Sequence, residues 1–291
     1  MGSCSSDNSC SSCSSASACS ADEKQQHAKQ KVEDRLSKIK YKIMVMSGKG
    51  GVGKSTVSVS LAASLHALGY KVGILDADIH GPNIPKMFGL TASGVYSGPD
   101  GLIPFETADG MKVMSVAFLL KDEDDAVIWR APIKHSMIEQ FVGDVAWGEL
   151  DFMIIDLPPG TGDEPLSAAH VIGKVDGAVI VTTPQEVALL DSRKSVTFAR
   201  KLDIPVLGIV ENMSGLVCPH CGETIDLFKT GGGEQAAKDM EATFLGRVPI
   251  DPQVVVQGDS GKPYVLEVKD TPTAKAFIDI AKNVAKQTIG K

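Results

Sequence analysis

The chain alternates short apolar runs with longer stretches of helical spacing. Tyr41–Ser47 (YKIMVMS) is a compact apolar run and predicts a buried strand. A Gly-rich stretch, Gly48–Lys54, follows it. Ser55–Leu68 then carries apolar residues at helical spacing until Gly69 stops the pattern. Lys71–Asp78 (KVGILDAD) predicts a second strand, ending in two acids. Further strands are predicted near 112–118, 152–157, 177–183 and 205–211. Helices are predicted near 132–147, 163–172, 186–202, 233–240 and 272–288. Buried strands alternating with helices imply an α/β fold, a doubly wound, mostly parallel sheet with helices on both faces. In such sheets ligands gather at the carboxyl ends of the strands. The segments richest in chemistry fall at those ends.

Before Tyr41 the pattern changes. Residues 1–21 are almost all Ser, Ala, Cys, Asp and Asn, with no bulky apolar residue after Met1. They cannot build a core and predict a disordered tail. Residues 22–40 are charged and free of Gly and Pro, which predicts a solvated helical spacer. The globular domain is expected to span 41–291, with a Cys-x-x-Cys insertion at 218–221.

Composition narrows the classes. The formal net charge of −7 argues against a nucleic-acid partner, because phosphate binding draws on Lys and Arg. No apolar run reaches the roughly 18 residues of a membrane span. The N-terminus lacks a basic segment followed by an apolar one, so no secretory signal and a cytosolic location are expected.

Gly48-Lys49-Gly50-Gly51-Val52-Gly53-Lys54-Ser55 satisfies G-x-x-x-x-G-K-[ST] between a strand and a helix. Its glycines let backbone N–H groups curl around phosphate oxygens at the positive end of the helix. Lys54 is expected to reach the β- and γ-phosphates of ATP, and the Ser55 hydroxyl to bind Mg²⁺. Thr56 completes the expected nucleotide-binding stretch. Phe152–Asp156 is four apolar residues and an acid, a Walker B strand that places Asp156 in the Mg²⁺ shell. The loop Leu157–Asp163 carries glycines that permit it to move, as a sensor of the γ-phosphate would.

The six cysteines form two groups: Cys4, Cys10, Cys13 and Cys19, then Cys218 and Cys221. Close spacing in a cytosolic chain points to metal or redox chemistry rather than disulfides. One Cys-x-x-Cys pair supplies half of a four-ligand site, so a closed site predicts a homodimer with two ligands from each copy. A 4Fe–4S cluster, a zinc ion and a dithiol redox pair all fit that pair.

Lys49 extends the loop to K-G-G-x-G-K-S, which resembles the deviant Walker A motif of the MinD, ParA, nitrogenase-iron-protein and Mrp families. The resemblance implies that Lys49 reaches across a dimer to the partner's nucleotide, and that Asp78 positions the attacking water. Asp76, two residues earlier, competes for that role, since alternate strand residues share a face. Four segments resemble the Mrp branch: Asp76–Asn83; Trp129-Arg130-Ala131-Pro132, where the branch has W-R-G-P; Asp156–Asp163; and Glu211–Ser214 followed by Cys218–Gly222. The likeness spans residues 41–286. It implies an ATP-hydrolysing carrier or scaffold that delivers 4Fe–4S clusters to apoproteins, with Cys218 and Cys221 on the cluster and Asn212 on the adenine. Cys10-x2-Cys13-x5-Cys19 resembles the cluster-binding extension of the cytosolic scaffold ATPases in this family. There the first cysteine lies further upstream, whereas Cys4 is close to Cys10. A second cluster on Cys4, Cys10, Cys13 and Cys19 is expected.

Two other readings compete. A ParA- or MinD-like switch with a structural zinc site would share the loop. A MinD-like membrane helix would sit at the C-terminus, but Phe277, Ile280, Ala281 and Val284 predict a core-facing helix there.

Overall fold

The computed structural model describes residues 21–90, 94–120, 129, 131–218 and 220–290. α1 (Ala21–Leu36) leads into β1 (Ile39–Ser47), α2 (Lys54–Ala67) and β2 (Val72–Asp76). After α3 (Ile84–Met87) come β3 (Ser97–Gly98), β4 (Gly101–Leu102), β5 (Phe105–Glu106) and β6 (Lys112–Ser115), then a 3-10 turn at Val116–Leu119. Helices and strands then alternate through α4 (Ala131–Gly143), β7 (Leu150–Asp156), α5 (Asp163–Ile172), β8 (Gly177–Thr182), α6 (Glu186–Lys201) and β9 (Val206–Glu211). A small hairpin, β10 (Leu216–Val217) and β11 (Thr224–Ile225), precedes α7 (Gly232–Asp239) and β12 (Phe244–Arg247). The chain closes with α8 (Pro252–Asp259), α9 (Tyr264–Glu267) and α10 (Pro272–Ile289).

Eight strands form one sheet in the order β12-β9-β8-β1-β7-β2-β6-β5, parallel except for β5 against β6. The central strands have no polar alternation because both faces are covered. Ile43–Met46, Phe152–Ile155 and Ala178–Val181 are all buried. From β1 and β2 the chain crosses toward the β6 edge, and from β6 onward it steps back toward β12. Right-handed crossovers place the helices of these two directions on opposite faces. α2 packs with α9 and α10, while α6 packs with α7 and α4 with α5. The loops after β1 and β7 leave in opposite directions, which opens a crevice at the carboxyl ends of the central strands.

The reading of 22–40 as a solvated spacer needs correction. α1 ends at Leu36 and β1 already begins at Ile39. Val32 and Leu36, one turn apart, are buried where α1 lies against α4. Lys31 pairs with Asp144, and Arg35 donates to the Gly143 carbonyl at 3.4 Å and to that of Asp100. An apolar i, i+4 pair is enough to dock a helix that is otherwise charged. α10 buries Phe277, Ile280, Ala281 and Val284, as predicted for a core-facing helix. Among the described residues no helix is long and apolar enough to cross a membrane.

Candidate functional site

The Gly-rich loop joins β1 to α2 in the crevice. No side chain caps α2, so its first N–H groups are left for a ligand. Gly48 and Gly53 are fixed by their surroundings. A Cβ at Gly48 would fall 2.1 Å from the Asp191 carbonyl carbon. Gly53 has φ 79° and a Cβ there would meet Asn212 Nδ2 at 2.3 Å. Gly50 and Gly51 are exposed at the tip, between half-buried Lys49 and buried Val52. Lys49 has no ion-pair partner among the described residues.

Lys54 is 6% exposed and lies 2.8 Å from Asp156 Oδ2 and 3.4 Å from Asp78 Oδ2. Burial alone would favour the neutral amine. The charges of Asp156, Asp78 and Asp76 outweigh it and hold the ammonium above its ordinary range. Asp156 also accepts from Ser55 Oγ at 2.7 Å and Ser58 Oγ at 2.6 Å. Asp76 sits beside Asp156 in register, fully buried, and accepts from Ser115 Oγ at 2.9 Å. Burial and the Asp156 charge push its carboxyl well above the usual range. Asp78, less enclosed, is raised by burial against the opposing pull of Lys54. The Asp78 N–H donates to Asp76 Oδ1 at 3.2 Å, so Asp76 braces the strand end while Asp78 faces the lysine. Asp156 and Asp78 share the one Lys54 ammonium, so the crevice floor keeps net negative charge.

Asn212 follows β9, and its side-chain amide donates to the Val52 carbonyl at 2.9 Å. The residue expected at the base thus already touches the phosphate loop. Thr56 is half-buried in the first turn of α2.

Cys218 and Cys221 lie together at the tip of the β10–β11 hairpin, Cys218 half-buried and Cys221 exposed. The Cys218 N–H donates to the Glu223 carbonyl, and the Gly222 N–H to the Cys218 carbonyl, both at 2.9 Å. Backbone N–H groups of Cys221 and His220 point at the Cys218 sulfur, followed by the Cys221 side chain, and lower its thiol below the ordinary range. A thiol held toward thiolate is a ready metal ligand. Among the described residues no three His, Cys, Asp or Glu side chains gather as a metal site. Cys4, Cys10, Cys13, Cys19 and Arg130 lie outside the described residues.

Three residues of the site were given no role from the sequence. Ser58 is one turn beyond Lys54 on α2, and helical spacing could have flagged it. Lys134 on α4 meets Glu164 on α5 and His80 in the loop after β2, with His80 Nε2 3.2 Å from Glu164 Oε1. Glu211, the acid before Asn212, is buried without exposure and accepts from four groups.

Residues 38–285 match the family described as ParA: NUBPL iron-transfer P-loop NTPase. An iron-sulfur cluster carrier protein of Methanocaldococcus jannaschii is 50% identical over 291 residues, covering 99% of this chain and 96% of the relative. The cytosolic Fe-S cluster assembly factor CFD1 of Saccharomyces cerevisiae is 46% identical over 262 residues, covering 87% of this chain and 89% of the relative. A nucleotide-binding protein of Archaeoglobus fulgidus, solved with ADP and cobalt, superposes with a TM-score of 0.75 at 43% identity. That match covers 86% of this chain and 96% of the solved one. The cell-division ATPase MinD of Pyrococcus furiosus superposes at 0.65 with 25% identity, over 84% of this chain and 98% of its own.

Proposed function

This chain belongs to the ParA-type family of NUBPL iron-transfer P-loop NTPases, and on that premise we propose that it is an ATP-dependent iron–sulfur cluster carrier. One observation carries the reading. The hairpin with Cys218 and Cys221 grows from the segment after Asn212, and Asn212 touches the phosphate loop. Nucleotide chemistry and thiol chemistry therefore share one piece of backbone.

In this reading Lys54 exchanges Asp156 and Asp78 for the β- and γ-phosphate oxygens of ATP. Ser55 and Asp156 would hold Mg²⁺, which would shield the phosphate charge. Ser58, which donates to the other Asp156 oxygen, would keep that carboxylate oriented with or without the Ser55 contact. Asp78, freed of Lys54, orients the attacking water, and the N–H groups of Gly48–Thr56 line the phosphates. Asn212 exchanges the Val52 carbonyl for the adenine edge. Lys49, without an ion-pair partner among the described residues, reaches the nucleotide of a second copy. The homodimer so formed presents two cysteine pairs, the four soft ligands of a 4Fe–4S cluster as cargo. Cys4, Cys10, Cys13 and Cys19 supply a second holding site, and the clients are iron–sulfur apoproteins. The yeast relative, named a cytosolic factor, supports a cytosolic place of action.

The test is anaerobic loading with iron and sulfide of the full chain carrying serine at positions 4, 10, 13 and 19. The expected result is about four iron and four sulfide per dimer, with transfer to an apo-enzyme that changes on adding ATP. A protein that takes up only zinc, and transfers nothing, overturns the reading in favour of a switch with a structural metal.

A further inference from the structure

The excursion between Ser214 and Gly231 carries both cysteines and has almost no apolar core of its own. Its strands are two residues each, and Val217, Ile225 and Leu227 are exposed. Something must fix its base, and the contacts converge on one side chain. Glu211 is wholly buried at the last position of β9. It accepts from the Ser214 hydroxyl, where the excursion leaves. It accepts from the Gly231 N–H at 2.9 Å and from the Gly233 N–H, where the excursion returns into α7. Its fourth donor, Arg247 Nε on β12, lies at 2.9 Å and joins it to the neighbouring strand. Both ends of the cysteine-bearing segment are thus tied to one carboxylate.

The next residue is Asn212, whose amide holds the Val52 carbonyl of the phosphate loop. Glu211 and Asn212 share a peptide bond and serve the two ends of the machine. We propose that Glu211 is the positioning residue that couples nucleotide occupancy to the cysteine hairpin, an inference that rests on the carrier reading above. When Asn212 leaves Val52 for a base, the shared backbone shifts. Glu211 passes the shift to Ser214 and Gly231 together, moving the hairpin as a unit. A hydrogen bond to only one end would let the other lag. Two-site coupling of this kind is reciprocal: ATP alters cluster retention by the factor by which the cluster alters ATP affinity.

The experiment compares Glu211→Gln and Ser214→Ala with the parent, in the full chain carrying serine at positions 4, 10, 13 and 19. The readout is the rate of cluster release to an iron chelator, with and without a non-hydrolysable ATP analogue. The parent is expected to show a ratio of about fivefold or more. Both variants are expected to bring it within about twofold of unity, while each still binds the analogue and loads a cluster. A merely structural role lowers the melting temperature and leaves the ratio unchanged, and that result overturns the proposal. If Glu211→Gln does not fold, Ser214→Ala carries the test, since it removes only the contact at the departing end. A parent ratio of one sinks the carrier reading and this inference with it. A parent ratio kept by the variants sinks this inference alone.

Discussion

The phosphate end and the cysteine end of this molecule are built on opposite plans. At the phosphate end the polar groups are enclosed and already paired. Lys54, Asp156, Ser55 and Ser58 satisfy one another in a buried cluster, and Asp76 rests on Ser115. At the cysteine end a two-residue hairpin stands in solvent, with Cys221 exposed and its apolar side chains uncovered. The first region is preorganised, so its ligand displaces existing partners and inherits their geometry. The second is incomplete by itself, since two thiols make half a site. The difference suits the proposed division between an enclosed nucleotide site and an open holder that gives up its cargo.

Breaking the enclosed cluster is expected to have the largest effect. Lys54→Ala leaves Asp156 and Asp78 without their cation and removes the proposed phosphate contact. ATP turnover should fall by about a hundredfold or more, as measured by phosphate release. Unchanged turnover would remove the loop from the chemistry. Lys49→Ala sharpens the contrast, because Lys49 has no partner to abandon within the described chain. Nucleotide affinity should stay within about threefold, and hydrolysis should drop by about tenfold or more. Loss of affinity instead would mean that Lys49 acts on the nucleotide of its own subunit.

Gly53→Ala attacks the joint between the two ends. The left-handed backbone costs about 1–2 kcal/mol for a residue with a Cβ, and the added carbon would displace the Asn212 amide. ATP binding by calorimetry should weaken by about tenfold. Equal affinity would show that Asn212 can leave Val52 without loss. The smallest effect is expected at the open end. Replacing Cys218 and Cys221 by serine in metal-free protein should change stability by less than about 0.5 kcal/mol in urea unfolding. The Cys218–Glu223 and Gly222–Cys218 hydrogen bonds run through backbone atoms and survive the exchange, and a serine oxygen can accept from the N–H groups facing the Cys218 sulfur. A larger loss would make the hairpin part of the frame.

Much of the frame could be read directly along the chain. The runs around Ile43, Ile154 and Val179 lack polar alternation because helices cover both sheet faces, and that signal is local. The phosphate loop was equally plain, since its glycines and Lys54 are contiguous. β12 was missed: it has four residues, contains Gly246 and shifts register there, so it carries no period. α8 and α9 were missed for a related reason, being short and, in α8, without a buried face. α1 was misjudged although Val32 and Leu36 hinted at docking, because its surroundings are charged. Glu211 escaped because its donors lie 3 to 36 residues away and converge only in three dimensions. A lone acid at a strand end carries no mark of that duty.

The order of the strands also sets an order of assembly. β1 pairs with β7 on one side and β8 on the other, through Ile43 with Ile154 and Val45 with Val179. The ribosome makes β1 about a hundred residues before β7, an interval of roughly 5–20 s at 5–20 residues per second. During that time the buried apolar run Ile43–Met46 of β1, with the phosphate loop attached, has neither neighbour. Asp156, which pairs with Lys54 and is the proposed Mg²⁺ ligand, is missing until β7 is made. On the proposed reading, nucleotide binding waits until the chain is made through β7. Until then the uncovered apolar run of β1 is a natural segment for a chaperone to shield.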